Sequence, residues 1–190
     1  MTTIYLVRHA QPDYSDVHTE PENAPLTKQG REDSKKMASF LHHEPIDVIV
    51  SSPYPRAKET IRPLAELLNL PILLEEDFRE RKIGCWVEDF NGYCKRQWED
   101  FSYALPEGES LQQVQQRVVQ ALEVLLQKYE GKMIAVAGHG TAISLLLNHF
   151  DPSFGMDDFM RIKSWMPCSG GLGREKTEYL GKKEVFWIER

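Results

Sequence analysis

The sequence predicts an α/β protein with a mostly parallel sheet. Three observations predict it: short apolar, β-branched runs recur along the chain, helical repeats separate them, and several of the runs end in polar residues. The first run, "IYLVRHAQP", sets Ile4, Tyr5, Leu6 and Val7 in an unbroken apolar stretch and closes it with Arg8 and His9. That is the pattern of a strand covered on both faces. Next, "LTKQGREDSKKMASFLHH" reads as a helix with Thr27 as N-cap and Met37, Phe40 and Leu41 at helical spacing. "DVIVSS" at 47–52 is a second strand, ending in Ser51 and Ser52. "RAKETIRPLAELL" places Ala57, Ile61, Leu64, Ala65 and Leu68 on one helix face, with a kink expected at Pro63. "PILLEED" is a third strand.

Between Trp86 and Tyr103, Phe90, Tyr93, Trp98 and Phe101 are interleaved with Lys95 and Arg96. This reads as a short helix packing an aromatic face on the core. A substrate-covering segment built from Trp86, Tyr93, Lys95, Arg96 and Trp98 is the rival reading. "SLQQVQQRVVQALEVLLQKY" is the clearest helix: Ser110 and Gln113 form a capping box, and Leu111, Val114, Val118, Leu122, Leu125 and Tyr129 make the apolar stripe. "KMIAVAGHG" at 132–140 is another strand, ending in Gly138, His139 and Gly140. "PCSGGLG" at 167–173 is too glycine-rich for helix or strand, and the tail "KKEVFWIER" reads as a last strand at the sheet edge. No internal repeat or low-complexity linker divides the chain, so residues 1–190 are expected to form one domain.

Composition narrows the partners. A 41% hydrophobic and 27% charged content is that of a soluble globular protein. The formal charge of −6, without a lysine-arginine run, argues against a nucleic-acid backbone as ligand, yet a few converging cations can still bind a small anion. Cys85, Cys94 and Cys168 are odd in number and lack C-x-x-C spacing, which fits a reducing compartment and supports neither a disulfide framework nor a zinc site. The first apolar run is too short for a signal peptide, and "AISLLL" at 142–147 falls far below the roughly 20 apolar residues that span a bilayer. No membrane association and a cytoplasmic location are therefore expected. Oligomeric state is not readable.

Ligands of open α/β sheets bind outside the carboxyl ends of the strands, where His9, Ser51 with Ser52, and His139 all fall. "SSPYPRAKET" carries Arg56 into a helix start, and the glycines of "GHGTA" allow close approach of backbone to ligand. Two guanidinium groups beside two imidazoles repel a metal cation but offer planar, bidentate donors to a phosphoryl group. Arg8, Arg56 and a protonated His139 would balance the roughly −2 charge of a phosphate. A neutral His9, its other nitrogen held by a backbone carbonyl, would be free to attack phosphorus. Glu80, in "DFRERKIGCW" just past the third strand, is the candidate proton donor for the leaving oxygen. No metal and no cofactor are expected. His18, His42, His43 and His149 belong to no motif and read as structural or exposed.

"LVRHA", "SSPYPRAKET", "FRERKIGCW" and "AGHGTAI", with "LTKQG" and "PEGES" in support, resemble in order and spacing the histidine phosphatase superfamily, the phosphoglycerate-mutase-like group. The resemblance runs from about residue 2 to residue 145. It implies a doubly wound three-layer α/β/α sandwich, mostly parallel with an antiparallel edge strand. It also implies that His9 becomes phosphorylated, that Arg8, Arg56 and His139 hold the phosphate, that Glu80 gives the proton, and that no metal takes part. The chain departs from the commonest pattern at Ala10, where glycine is usual, and at Gln11, where an acid is usual. "PDYSD" replaces the mutases' continuation, and Val87 and Glu88 follow Trp86 where an acid and a glycine are usual. The five central residues are intact, and the long insertions of glycolytic mutases are missing. The expected activity is metal-independent hydrolysis of a small phosphate monoester through a phosphohistidine. A non-catalytic phospholigand-binding protein is the alternative, and a phosphoglycerate mutase a more distant one.

Overall fold

The computed structural model of the protein describes residues 2–175 and 178–189. Its strands and helices follow as β1 (Thr2–Arg8), α1 (Lys28–Leu41), β2 (Val48–Ser51), α2 (Pro55–Leu68), β3 (Ile72–Leu74), α3 (Phe90–Glu99), α4 (Leu111–Lys128), β4 (Met133–Gly138), α5 (Gly140–Phe150), α6 (Met156–Lys163), β5 (Trp165–Glu175) and β6 (Glu178–Glu189). The strands form one six-stranded sheet in the order β3-β2-β4-β1-β5-β6. β1 pairs parallel with β4, and β2 pairs parallel with both β3 and β4. β5 runs antiparallel to β1 and to β6.

Apolar residues on both faces of the strands explain the layering. In β1, Ile4 and Leu6 enter one core while Tyr5 and Val7 enter the other, and Ile134 and Val136 against Ala135 and Ala137 repeat the alternation in β4. The side chains of a strand alternate between faces, so an unbroken apolar run needs cover on both. Helices α4 and α5 cover one side through Leu111, Val114, Val118, Leu122 and Leu145; α1 and α2 cover the other through Met37, Leu41, Ile61 and Leu64. This is a mixed α/β sandwich with a mostly parallel sheet, as the sequence predicts.

Helix boundaries follow local chemistry. The Thr27 hydroxyl accepts the Gly30 N–H at 2.9 Å, and Ser110 with Gln113 forms the reciprocal capping box at the start of α4. Helix α2 has proline at its first position, continues past Pro63 to Leu68, and ends at Asn69 in the left-handed conformation.

One expectation needs correction. "PCSGGLG" lies within strand β5, not in an irregular segment. Ladder bonds to β1 on one side and β6 on the other outweigh the weak strand propensity of glycine. The β5–β6 pairing is close, since a Cβ on Gly170 would stand 3.3 Å from the Lys183 carbonyl oxygen. The expected antiparallel edge strand is β6, which lies at the sheet edge and pairs antiparallel with β5, itself antiparallel to β1. Helix α6, which the sequence pattern did not reveal, packs next to α5 and leads into β5.

Candidate active site

Sheet order brings three strand ends together. β4 lies between β2 and β1, with Ser51 opposite Ala137 and Arg8 opposite Gly138. The next residues of each strand, Ser52, His139 and His9, therefore emerge side by side. The ladder extends just far enough to fix them: the His9 N–H donates to Gly138 O at 3.1 Å and the Ser52 N–H to Ala137 O at 2.8 Å. The two imidazole rings stand 5.2 Å apart between centroids.

Each side chain in this cup is held from behind. His9 Nδ1 is 2.7 Å from Ala10 O. Ala10 is itself pinned, its N–H donating to Thr60 Oγ1 at 2.9 Å while that hydroxyl donates to Arg56 O at 2.7 Å. Helix α2 thus places Arg56 and braces His9 at once. Arg56 Nη1 donates to Pro21 O at 2.8 Å, and its guanidinium lies over the Tyr54 ring, 5.0 Å from the centroid. Tyr54 meets His139 edge-on at 5.1 Å. His139 Nε2 is 2.8 Å from Ser52 Oγ. Arg8 Nη1 donates to the carbonyls of Ile162 and Lys163, at the carboxyl end of α6 where the helix dipole favours a cation, and to that of Trp165, the first residue of β5.

The cup is buried and positive. Arg8, His9, Arg56 and His139 are all buried, and His139 is wholly inaccessible. Burial, then the charges of Arg56 and Arg8, push His9 well below the usual imidazole range; burial, Arg56, His9 and Arg8 do the same to His139. Both rings are neutral in the ligand-free site, so the charge expected on His139 is not present before an anion binds. Three buried side-chain nitrogens in the cup, Arg8 Nε, Arg56 Nε and His139 Nδ1, have no hydrogen-bond partner among the described residues. A buried polar group left unpaired costs about 1–3 kcal/mol, and an anion with several acceptor oxygens would satisfy all three. These donors and the permanent guanidinium charges suit phosphate and would repel a metal ion.

Glu80 approaches from the segment after β3. Its Oε1 accepts the Arg81 N–H at 2.8 Å and its Oε2 the Thr141 N–H, in the first turn of α5, at 3.1 Å. Its charge is felt by Arg8 and by Tyr54. The expected five residues, His9, Glu80, Arg8, Arg56 and His139, are thus brought to one rim.

The aromatic segment is mostly framework. Trp98 packs edge-on against Phe101 and beside Phe159. Lys95 pairs with Glu99 at 3.9 Å, and the Arg96 guanidinium lies 3.8 Å from the Tyr103 ring centroid. Tyr93 is buried under the Arg81 guanidinium at 5.0 Å. Trp86 is 91% exposed. Sequence reasoning did not single out Tyr54, Thr60, Pro21 or the α6 carbonyls, because a backbone carbonyl or a lone hydroxyl at a distant position leaves no spacing signature.

Comparison with known proteins agrees with this geometry. A sequence model of the histidine phosphatase superfamily (branch 1) matches residues 4–169. The chain belongs to the histidine phosphatase superfamily. It is 31% identical over 153 residues to the uncharacterized phosphatase PhoE of Bacillus subtilis, covering 77% of this chain and 76% of that one. It is 30% identical over 156 residues to phosphoserine phosphatase 1 of Hydrogenobacter thermophilus, covering 73% and 71%. The solved structure of Bacillus stearothermophilus YhfR superposes with a TM-score of 0.78 at 22% identity, over 94% of each chain. This histidine phosphatase is an enzyme of the phosphoric monoester hydrolase kind. Among the described residues, no helix is long and apolar enough to cross a membrane.

Proposed function

We propose that this histidine phosphatase hydrolyses small phosphate monoesters without a metal, through a phosphohistidine at His9. One observation carries the reading: buried nitrogens of Arg8, Arg56 and His139, without partners among the described residues, lie close to an imidazole held in its neutral form. A carbonyl oxygen can only accept, so the 2.7 Å contact with Ala10 O means that His9 Nδ1 holds the proton. The lone pair is therefore on Nε2. Ser52 Oγ accepts the Tyr54 N–H at 3.3 Å and lies 2.8 Å from His139 Nε2; in the proposed tautomer its hydroxyl donates to that nitrogen. That leaves His139 Nδ1–H as a donor to the phosphoryl group.

In the first step the Nε2–P bond forms as the ester P–O bond breaks; the departing oxygen keeps the bonding pair and takes a proton from Glu80. Arg8, Arg56 and His139 stabilise charge on the non-bridging oxygens, the larger share of phosphoryl-transfer catalysis. In the second step water attacks phosphorus, gives a proton to Glu80, and the N–P bond breaks to release phosphate. A bound dianion also favours protonated imidazole, so the charge missing from His139 before binding becomes available as the ester enters.

The burial of the cup residues favours a small ester over a large one, and phosphoserine, named for the Hydrogenobacter relative, belongs in a first substrate panel. The test is phosphate release from an aryl phosphate in the presence of a chelator. Wild-type turnover should be unaffected by the chelator, and His9→Ala should lose at least about 10³-fold in kcat. Turnover retained in His9→Ala would remove the nucleophile from the reading.

A further inference from the structure

Beside Glu80, a second constellation holds the segment that carries it. Arg117 projects from α4 with a side chain only 11% exposed. Its Nη1 donates to Asp77 O at 2.6 Å and to Arg79 O at 2.9 Å, and its Nη2 reaches Glu80 O at 3.3 Å. One guanidinium thus grips three carbonyls around the candidate proton donor. Glu109, of "PEGES", fixes that guanidinium in turn, accepting from Nε at 2.9 Å and Nη2 at 3.0 Å. The same carboxylate accepts Arg79 Nη2 at 3.0 Å and the Lys82 N–H at 2.9 Å, and the Glu109 N–H donates to Lys82 O at 2.8 Å. Burial pushes the Glu109 carboxyl up, but Arg117, the Lys82 N–H and Arg79 outweigh it and hold Glu109 ionised.

The stretch from Asp77 to Lys82 is neither strand nor α-helix for most of its length, so it has no ladder to hold it. A bidentate guanidinium–carboxylate pair is planar and rigid, which suits it to fixing an irregular segment. All three guanidinium nitrogens of Arg117 are engaged by backbone carbonyls or Glu109, which leaves none to hold a substrate. We infer that Arg117 and Glu109 are positioning residues for acid catalysis: they set the Glu80 carboxyl on the leaving oxygen and act only through it. This rests on Glu80 being the proton donor of the proposed reaction.

Leaving groups separate the two ideas. 2,4-Dinitrophenolate departs without a proton, whereas an alkoxide such as that of phosphoserine needs one. In kcat/KM, which reports only steps through transfer of phosphorus to His9, Glu80→Gln should be severely impaired on phosphoserine and nearly normal on 2,4-dinitrophenyl phosphate. Arg117→Lys and the isosteric Glu109→Gln should show the same split in weaker form, about 10- to 100-fold against less than about 3-fold. Added to Glu80→Gln, either change should cost little more, because the group it positions is gone. Inorganic phosphate should raise the melting temperature of each variant as it does the wild type, since the cup is untouched.

The failures are distinguishable. No split in Glu80→Gln itself would sink the assignment of the proton donor, and this inference with it. A split in Glu80→Gln but an equal fall on both esters, or no fall, in Arg117→Lys and Glu109→Gln would overturn the positioning role alone. Loss of the folded state in both variants would likewise assign the pair to structure and overturn it.

Discussion

The nucleophilic role proposed for His9 rests on what surrounds its ring. Burial and two neighbouring guanidinium groups keep the imidazole neutral, and Ala10 O takes the only ring proton. The same burial has a thermodynamic cost that can be measured. His9 and His139 remain neutral in the folded protein well below 6.5, while in the unfolded chain each takes up a proton near that pH. Below pH 6.5 the unfolded state therefore binds more protons. Stability is whole above that pH and declines as pH drops toward the folded-state values, by up to about 1.4 kcal/mol per pH unit for each histidine. Urea unfolding at about pH 7 and about pH 5.5 should show a steeper loss in the wild type than in His139→Asn. Equal slopes would contradict a neutral, buried His139. The departure at Gln11 also has a local reason: Gln11 Oε1 accepts the Thr27 hydroxyl at 3.0 Å, so this side chain serves the start of α1.

Among the elements, the parallel strands and the helices between them were legible, because β1 and β4 are apolar on both faces and α4 carries a complete cap and stripe. Strand ends gave most of the site, since Arg8, His9, Ser52 and His139 follow apolar runs directly in the chain. What could not be read is what depends on tertiary contact. Strand β5 is glycine-rich and acquires its strand character from β1 and β6. Helix α6 is short, and its value lies in carbonyls that hold Arg8. Arg117 is an arginine among glutamines on α4, with nothing in its spacing to link it to residue 80.

Helix α5 supplies a prediction at this scale. A Cβ on Gly140, the first residue of α5, would stand 3.2 Å from Arg8 Nε. Alanine is the better helix former by about 1 kcal/mol, so Gly140→Ala should not lower the melting temperature of the free protein. By displacing the guanidinium, it should weaken phosphate binding about tenfold. Unchanged affinity, read by calorimetry, would mean that Arg8 does not grip the anion.

The whole molecule carries a charge of −6 and buries two arginines in one cup. Such a site is kept for function at the expense of stability. Arg56→Met should therefore leave the ligand-free melting temperature unchanged or higher, because it removes a buried charge with an unpaired Nε. The wild type should gain about 2.7 kcal/mol at phosphate concentrations of about 100 Kd, and the variant should gain almost nothing. A full phosphate response in Arg56→Met would place the anion elsewhere.

Rapid acid-free quench of the enzyme turning over a phosphate ester, followed by peptide mapping with mass spectrometry, addresses the chemistry itself. A phosphoryl group stable to alkali, labile to acid and located on His9 is the predicted result. Turnover with a phosphoryl group on a different residue, or with none on His9 during rapid-quench sampling of the first turnover, would contradict a mechanism built on that imidazole.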